Sequence, residues 1–441
     1  MSIDLMPNRF IHGEVTLAPR EAALVNRRDA VLGASYRLNY RNPVHFVRGE
    51  GMYLYDPDGV RYLDFYNNVP SLGHSRPEVV EAVARQSSML NINPRYLDTH
   101  LVDYAERLVA TFPKSMGRVV FTCTGSESND LALRMARFVT GGDGVIVTEY
   151  AYHGTSAAAA AISPNLGSAI PLGPYVRTVR LPGVHGISDS DSAAFFRSEV
   201  EGALADLIRH GIKPAAFIAD SIFSSDGVYT DPAGFLSGAI KSVRDVGAVY
   251  IADEVQPGFG RMGETMWGFA RHNVIPDIAS LGKPMGNGYP VGAVVGRDAI
   301  VDEFGKAARY SNTFAGNTVA IAAASAVLDV IEHDGILDNA RRTGASLLNE
   351  LRRISKKDNR LSEVRGTGLF YGASIGTDEH TKDERRQLSR EVVNGLRDEA
   401  VLISTTGANE DVLKIRPPII CGDEHVTMFI EALERVLHRI K

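Results

Sequence analysis

The feature that most constrains the fold is a series of six short apolar segments between residues 118 and 300, separated by helix-like stretches. The segments read RVVFTC, GVIVTE, PAAFIAD, AVYIAD, DIASLG and VGAVVG. Several are apolar throughout instead of alternating, which is typical of strands buried on both faces of a parallel or mixed sheet. The pattern therefore predicts a doubly wound α/β domain, in which ligands bind at the carboxyl ends of the strands.

The pattern changes after residue 325, where charged helices alternate with the strand candidates GLFYGASIG, AVLIST and DVLKIRPP. This change predicts a smaller α+β domain. The first 70 residues contain GMYLYDPDGVRYLDF, whose Asp58-Gly59 pair is typical of a hairpin turn. We predict an N-terminal segment over residues 1–70 that packs with the small domain, a large domain over residues 71–325 and a C-terminal small domain over residues 326–441.

Charge and cysteine content exclude several functional classes. The formal net charge of −6 argues against nucleic acid or an anionic membrane as the main partner. Cys123 and Cys421 are too few for a disulfide framework and lack the spacing of a zinc site. No apolar run reaches the roughly 18 residues of a membrane span, and the N-terminus lacks the apolar core of a signal peptide. These features predict a cytoplasmic protein without a metal site.

Chemically useful residues follow the predicted strands. In FTCTGSESNDLALRMAR a strand ends near Cys123 and a helix begins, with Ser126 as the expected N-cap. The free N–H groups of such a helix start bind phosphate well, although the pattern taken alone favours an ordinary capped helix. Tyr152 and His153 follow GVIVTE and offer an aromatic face at the same edge, and Thr313 in YSNTFAGN can donate a hydrogen bond to an anion.

Two further strand ends carry a carboxylate and an amine. Asp253 ends AVYIAD, and Lys283 follows DIASLG 30 residues later. Two strand ends of one sheet can face one crevice. The carboxylate can hold a proton on a heterocyclic nitrogen or cap a loop. A lysine desolvated in such a crevice has a lowered pKa and becomes a nucleophile able to form a Schiff base.

A glycine pattern nearby suggests a different cofactor. Gly258, Gly260 and Gly263 spell G-x-G-x-x-G, and this pattern alone would predict an NAD-dependent dehydrogenase. The dinucleotide fingerprint needs its first glycine directly after the strand and a helix directly after the third. Here Asp253 to Pro257 intervene, and ETMWGFARHN makes a poor crossover helix. The other groups together supply a phosphate cradle, an aromatic face, a carboxylate and an amine, which is the set that pyridoxal 5′-phosphate (PLP) requires.

Six motifs in order make the chain resemble the class III aminotransferase family of fold type I PLP-dependent enzymes over nearly its whole length. They are TGSESNDLALRMAR, YAYHGTS, IADEVQPGFGRMG, LGKPMGNGYPVGAVV, NTFAGN and LKIRPP. The resemblance implies a large doubly wound mixed-sheet domain, a smaller α+β domain built from the N- and C-terminal segments, bound PLP, and a homodimer with shared active sites.

The resemblance also implies the roles of individual residues. Lys283 would form the Schiff base with PLP, and Asp253 would pair with the pyridinium nitrogen and keep the ring an electron sink. Tyr152 would stack on the ring, and Gly125 and Ser126 would hold the cofactor phosphate. Gln256 would lie close to the ring oxygen O3′. Thr313 would reach the phosphate of the cofactor that the partner subunit binds.

Within the family, the closest resemblance is to the ethanolamine-phosphate phospho-lyase branch. It is carried by LNINPRYLDTHLVDYAERL, YNNVPSLGHSRPEVVEA, LGKPMGNGYPV and the tail VLISTTGANEDVLKIRPPIICGDEHV. It implies elimination of phosphate from O-phosphoethanolamine or a close relative to give aldehyde, ammonia and phosphate. The main alternative is an aminotransferase moving an amino group from an ω-amine to pyruvate or 2-oxoglutarate. A mutase of the glutamate-1-semialdehyde type and a PLP-binding protein without catalysis are less favoured.

Two arginines are candidates for substrate binding. Arg416 in LKIRPP and Arg76 in GHSRP could each bind a carboxylate or phosphate, or form a surface ion pair. The lyases of the resembling branch often have lysine at the position of Arg416. Many class III aminotransferases carry a Glu-Pro-Val-Gln-Gly-type run where this chain has DSIFSSDG. The shorter Asp220 that begins it would reach differently toward a gating arginine, which weakens the case for dual recognition of an amine and a 2-oxo acid.

Overall fold

The computed structural model describes residue 6, residues 8–377 and residues 379–440. The strands in this part of the chain are β1 (Arg48–Glu50), β2 (Tyr53–Tyr55), β3 (Arg61–Asp64), β4 (Arg118–Thr122), β5 (Gly144–Thr148), β6 (Val176–Val179), β7 (Pro214–Asp220), β8 (Val249–Asp253), β9 (Ile278–Leu281), β10 (Gly292–Gly296), β11 (Leu361–Thr367), β12 (Phe370–Ile375), β13 (Val401–Leu402), β14 (Ser404–Thr406) and β15 (Val412–Ile415). The α-helices are α1 (Pro19–Asp29), α2 (Pro77–Met89), α3 (Thr99–Ala110), α4 (Gly125–Thr140), α5 (Ala157–Ala160), α6 (Asp189–Arg209), α7 (Ser237–Asp245), α8 (Asp298–Ala307), α9 (Thr318–His333), α10 (Ile336–Ser355), α11 (Lys382–Asp398) and α12 (Asp423–Arg439).

A seven-stranded sheet forms the centre of the molecule, in the order β4-β10-β9-β8-β7-β5-β6. Strand β10 runs antiparallel to both of its neighbours, and the pairs from β9 to β6 are parallel. Each of the six apolar segments forms one strand of this sheet, as predicted. The seventh strand, β6, was not predicted, because Arg177 and Thr178 interrupt its apolar pattern at the edge of the sheet.

Helices cover both faces of this sheet. On β7, Phe217 packs against Phe196 of α6, with ring centroids 6.0 Å apart. The next residue, Ile218, belongs to the core on the opposite face, together with Leu133 of α4 and Ile300 of α8. Since successive side chains of a strand point to opposite faces, a strand covered on both sides must be apolar at every position. The doubly wound fold class predicted from the sequence is confirmed.

Two smaller four-stranded sheets complete the fold. One is antiparallel, in the order β11-β12-β15-β14. The other joins distant parts of the chain, because the hairpin β2-β3 pairs through β3 with β13 in parallel. Just beyond β15, the Arg416 N–H donates to the Phe65 carbonyl at 2.9 Å, which brings the end of that strand to the N-terminal segment. Within the described residues, no helix is both long enough and apolar enough to cross a lipid bilayer.

Candidate active site

A cavity of about 190 Å³ lies at the carboxyl edge of the central sheet. Asp220 at the end of β7 is the register partner of Asp253 on β8, which in turn pairs with Ser280 on β9, three residues before Lys283. Asp253 and Lys283 therefore face one crevice. The residues predicted from the sequence that line it are Gly125, Ser126, Tyr152, Asp253, Gln256 and Lys283.

The start of α4 forms one wall of the cavity. Thr124, not Ser126, is the N-cap, and its Oγ1 accepts the Glu127 N–H at 3.2 Å. The expectation for Ser126 was wrong because the helix begins at Gly125, two residues earlier than an N-cap at Ser126 would give. The Ser126 hydroxyl oxygen instead accepts the Thr155 N–H at 2.8 Å. This leaves the N–H groups of Gly125 and Ser126 without an acceptor among the described residues.

Glycines keep this wall free of side chains. A Cβ atom on Gly125 would lie 2.9 Å from both Val255 methyl groups. Gly154 has φ of +134°, and a Cβ atom there would lie 2.3 Å from the Ser126 hydroxyl oxygen. Bare N–H groups at a helix N-terminus bind a phosphate through hydrogen bonds and the helix dipole. The wall therefore fits the phosphate group of PLP.

Asp253 is buried and held by two side chains. Its Oδ2 accepts Asn129 Nδ2–H at 2.8 Å and His153 Nδ1–H at 2.7 Å. The Nε2 of His153 is buried without a partner among the described residues, so the bond to Asp253 is the one hydrogen bond of this ring there. The Val255 N–H donates to Oδ1 at 3.1 Å. These bonds stabilise a carboxylate anion directed at the cavity, as a pyridinium nitrogen requires.

Lys283 has an unusual backbone and an unusual electrostatic environment. Its φ of +28° is strained for a residue other than glycine, and such strain is concentrated at functional sites. Burial lowers the pKa of its ammonium group, and the positive charge of Arg416 lowers it further. Asp253 and Asp220 act in the opposite direction. A lowered pKa increases the fraction of neutral amine, which is the nucleophile for an aldehyde.

The hydrogen bonds around Gln256 fix the orientation of its side-chain amide. Its Oε1 accepts Arg416 Nη1–H at 2.6 Å and Asn68 Nδ2–H at 3.1 Å. The Nε2 donors are consequently the part of the amide left for the cavity. With Tyr152 also on the wall, the cavity presents an anion cradle, an aromatic ring, a carboxylate, an amide donor and an amine. These residues fit PLP.

Arg416 is not among the residues that line the cavity, but it contacts the lining residue Gln256, and a second cation that the sequence analysis missed stands near it. Lys414 and Arg416 are both buried, each with 8% of its surface exposed, and they stand two positions apart at the end of β15. Side chains two apart on a strand share a face, and this spacing is the signal that could have identified Lys414. Its ammonium lies 5.7 Å from the centre of the Phe370 ring and forms no ion pair or hydrogen bond within the described residues. Burial and the charge of Arg416 hold its pKa well below the usual value.

Three other sequence candidates lie in different surroundings. Arg76 is held by Glu78 at 2.6 Å and by Asp334 at 2.6 Å, and it does not line the cavity, so the ion-pair alternative describes it. Thr313 is exposed and outside this cavity. Asp220 lines the cavity, but its oxygens accept the N–H groups of Ile222 and Ser224, each at 3.0 Å, and no arginine in the described chain pairs with it.

Comparison with known proteins identifies the family of the chain. The aminotransferase class-III family model matches residues 35–437. The chain is 38% identical to the alanine–glyoxylate aminotransferase 2-like protein of Drosophila melanogaster, over 96% of this chain and 89% of that protein. It is 33% identical to ethanolamine-phosphate phospho-lyase homolog 1 of Caenorhabditis elegans, over 94% and 93% of the two chains. An Arthrobacter phospholyase solved in complex with phosphoethanolamine superposes with a TM-score of 0.91, at 39% identity over 95% of this chain and 100% of that one.

Proposed function

The chain belongs to the class III aminotransferase family of PLP-dependent enzymes, and within that family we propose that it is a phospho-lyase. The proposed reaction eliminates phosphate from O-phosphoethanolamine, or from a close phosphorylated amine, to give an aldehyde, ammonia and phosphate. The similarity to a phospho-lyase homolog and to a phospholyase solved with phosphoethanolamine supports this choice. The similarity to a protein named as an aminotransferase, at 38% identity, supports the alternative.

The pair of cations at the end of β15 is the observation that carries the proposal. Lys414 and Arg416 are buried, and neither forms an ion pair with a carboxylate in the described chain. Buried charges are costly unless they are paired, so an unpaired set is explained by a ligand that neutralises it. A phosphate monoester carries close to two negative charges at neutral pH, whereas a carboxylate carries one. Arg416 supplies one positive charge, and Lys414, whose pKa is lowered in the empty site, gains a reason to hold its proton when an anion binds beside it. This pair therefore matches a phosphorylated amine better than an amino acid.

The residues around the cavity have separate tasks in this reaction. Lys283, as a neutral amine, removes a proton from the carbon that bears the substrate nitrogen. When bound, PLP supplies an electron-poor ring that accepts the electron pair left by this proton. Asp253, fixed by Asn129 and His153, keeps the positive charge on the ring nitrogen. The C–O bond to phosphate then breaks with its electrons on oxygen, and we assign Lys414 and Arg416 to the departing anion. Hydrolysis of the released enamine gives aldehyde and ammonia.

The aminotransferase alternative uses the same Lys283 and Asp253. It differs in the steps after proton removal, because the proton is returned to the cofactor and a 2-oxo acid must then bind. Asp220 makes no pair with an arginine that could open for such an acid, which favours elimination.

Product analysis without an amino acceptor tests the proposal. The purified enzyme is loaded with PLP and supplied with O-phosphoethanolamine alone, and phosphate, acetaldehyde and ammonia are followed together. We expect equal amounts of all three. If no phosphate is released, and amine transfer begins when pyruvate or 2-oxoglutarate is added, the enzyme is an aminotransferase and the proposal is wrong. Ethanolamine, which lacks the leaving group, is the matched control substrate.

We also propose that the active unit is a homodimer. Phe314, next to Thr313 in the sequence, is an exposed apolar side chain, and so are four residues of another segment, namely Met89, Leu90, Tyr96 and Leu97. The two segments that carry them are joined, since the Thr318 N–H donates to the Ile92 carbonyl at 3.1 Å. Contiguous exposed apolar surface marks an interaction site. Light scattering after gel filtration is expected to give twice the 47.8 kDa chain mass, and a monomer in the active enzyme would contradict a shared site.

A cytoplasmic location stays a prediction from the sequence.

A further inference from the structure

The position of Gln256 links the proposed anion site to the cofactor site. Its Oε1 accepts hydrogen bonds from Arg416 Nη1, at 2.6 Å, and Asn68 Nδ2, at 3.1 Å. The Arg416 guanidinium has no acceptor atom, so rotating the Gln256 amide by half a turn would lose the bond to Arg416. Its Nε2 has no acceptor in the described chain, and the residue lines the cavity with Lys283.

Arg416 has one side occupied and one side free. Its Nε donates to the Tyr66 carbonyl at 2.6 Å, and its Nη1 donates to Gln256. Its Nη2 forms no hydrogen bond within the described residues. An anion that approaches Arg416 therefore shares the guanidinium with Gln256.

The substitution pattern of the cofactor ring indicates what Gln256 meets on its other side. In PLP, ring carbon 4 carries the aldehyde, and carbons 3 and 5 on either side carry a hydroxyl and the phosphate arm. Lys283 requires carbon 4, and the start of α4 takes the phosphate side. The ring nitrogen would pair with Asp253, so the 3-hydroxyl oxygen would be the one polar group of the cofactor still without a partner. Gln256 Nε2 is an uncharged donor on the cavity wall that belongs neither to the cradle nor to the Asp253 cluster.

We propose that Arg416 and Gln256 form a hydrogen-bond relay that couples the phosphate of the substrate to the 3-hydroxyl oxygen of the cofactor. The relay rests on the proposed function, because the anion at Arg416 is the phosphate of the phosphorylated amine. Donation from Arg416 polarises the amide of Gln256 and strengthens its Nε2–H as a donor. An anion that draws the guanidinium toward itself weakens this polarisation. By linkage, the 3-hydroxyl oxygen must weaken anion binding by the same factor.

Inorganic phosphate and a cofactor analogue test the relay without turnover. The dissociation constant of phosphate is measured by calorimetry on holoenzyme, so that the cofactor's own phosphate fills the cradle. One sample carries PLP, and the other carries an analogue in which hydrogen replaces the 3-hydroxyl group. For wild-type enzyme we expect phosphate to bind at least about threefold more tightly with the analogue. In Gln256→Ala the two dissociation constants should be equal.

Matched variants show whether the coupling passes through Gln256. Gln387→Ala makes the same chemical change on the exposed surface of α11 and should keep the wild-type ratio. Gln256→Asn keeps an amide but is too short to reach both Arg416 and the 3-hydroxyl oxygen, so it should behave as Gln256→Ala. It replaces the alanine variant in the experiment if that variant loses the cofactor. A ratio that persists in both Gln256 variants would show that the coupling bypasses Gln256. A wild-type ratio of one would overturn the relay and leave the phosphate site intact. Absence of phosphate binding to the wild type would overturn both the relay and the anion site. The product analysis described above tests the elimination reaction independently of this result.

Discussion

Replacing Lys414 with methionine should have opposite effects on stability and on catalysis. The amine is buried and forms no ion pair in the described chain. Burial, Arg416 and Lys283 lower its pKa, and the opposing effects of Asp220 and Asp226 are smaller than that of burial. Methionine has a similar length and no charge, so it removes the repulsion and the desolvation cost without opening a large cavity. The folded protein should become more stable, and the site for the substrate phosphate should lose one of its two cations.

The two effects can be given magnitudes. Substituting a buried charge by a hydrophobic side chain of similar volume is neutral or stabilising by about 1–4 kcal/mol. At an effective dielectric constant of about 20, two unit charges about 4 Å apart interact by about 4 kcal/mol. Part of this interaction is offset because Lys414 is already desolvated and Arg416 remains. A loss of about 2.7 kcal/mol from the transition state corresponds to a fall of about 100-fold in kcat/KM.

The assay measures both quantities on one preparation. Phosphate release from O-phosphoethanolamine gives kcat/KM, and urea titration of the holoenzyme gives the free energy of unfolding. Lys306→Met on α8, where the side chain is 71% exposed, is the matched control and should change neither quantity appreciably. A Lys414→Met enzyme with wild-type kcat/KM would show that the phosphate does not bind at Lys414. A large loss of stability would show that the ammonium is a structural group, and the reasoning from unpaired charge would fail.

Three further predictions concern the cavity and its surroundings. Lys283→Ala should reduce turnover below detection while circular dichroism shows a folded protein, and near-normal turnover would refute its role as the base. Asp253→Asn should lower kcat by about 100-fold or more with a smaller effect on PLP occupancy, and unchanged kinetics would refute its pairing with the ring nitrogen. Burial raises the pKa of the Asp226 carboxyl group to about 7. Between about pH 4 and pH 7 the folded state therefore keeps a proton that the unfolded state has released. The free energy of unfolding consequently falls as the pH rises through this range. Asp226→Asn should therefore be more stable than the wild type at pH 8, by up to about 4 kcal/mol, and nearly equal to it at pH 4; a pH-independent difference in urea titrations would contradict this account.

The central sheet could be predicted because each of its buried strands carries its own signal. A strand such as Pro214–Asp220 is covered on both faces, so its sequence is apolar until the polar residue at its end. The edge strand Val176–Val179 has a partner on one side only, and its middle residues are partly exposed, so no comparable signal exists. The pairing of Leu63 with Val401 is likewise not predictable from either segment, since it depends on how the ends of the chain meet.

The same distinction applies to the candidate site. Asp253 and Lys283 could be identified because each stands at the end of an apolar strand, and the sheet register brings the two strand ends together. Contacts between remote segments could not be identified. Asn129 reaches Asp253 across 124 residues, and Arg416 reaches Gln256 across 160 residues. Such pairs depend on side-chain geometry in the folded protein and leave no mark on local sequence patterns.

The charges near the cavity also bear on why elimination would prevail over amino transfer. A phosphorylated amine neutralises both Lys414 and Arg416, whereas a 2-oxo acid such as pyruvate brings a single negative charge and leaves one buried cation without a partner. Leaving a buried charge uncompensated is strongly destabilising, so the complex with the acceptor is disfavoured relative to the complex with the phosphorylated amine. An aminotransferase would bind an amine and a 2-oxo acid in turn, so a site with two cations would need an acidic residue to compensate the second positive charge when the acid is bound. Asp220 is the acidic candidate on the cavity wall, but its carboxylate is held by the Ile222 and Ser224 N–H groups, and burial together with Asp253 raises its pKa. That carboxylate is bonded to the backbone and forms no ion pair with either cation in the described chain, so under the proposed function the phosphorylated amine would supply the second negative charge that a 2-oxo acid lacks.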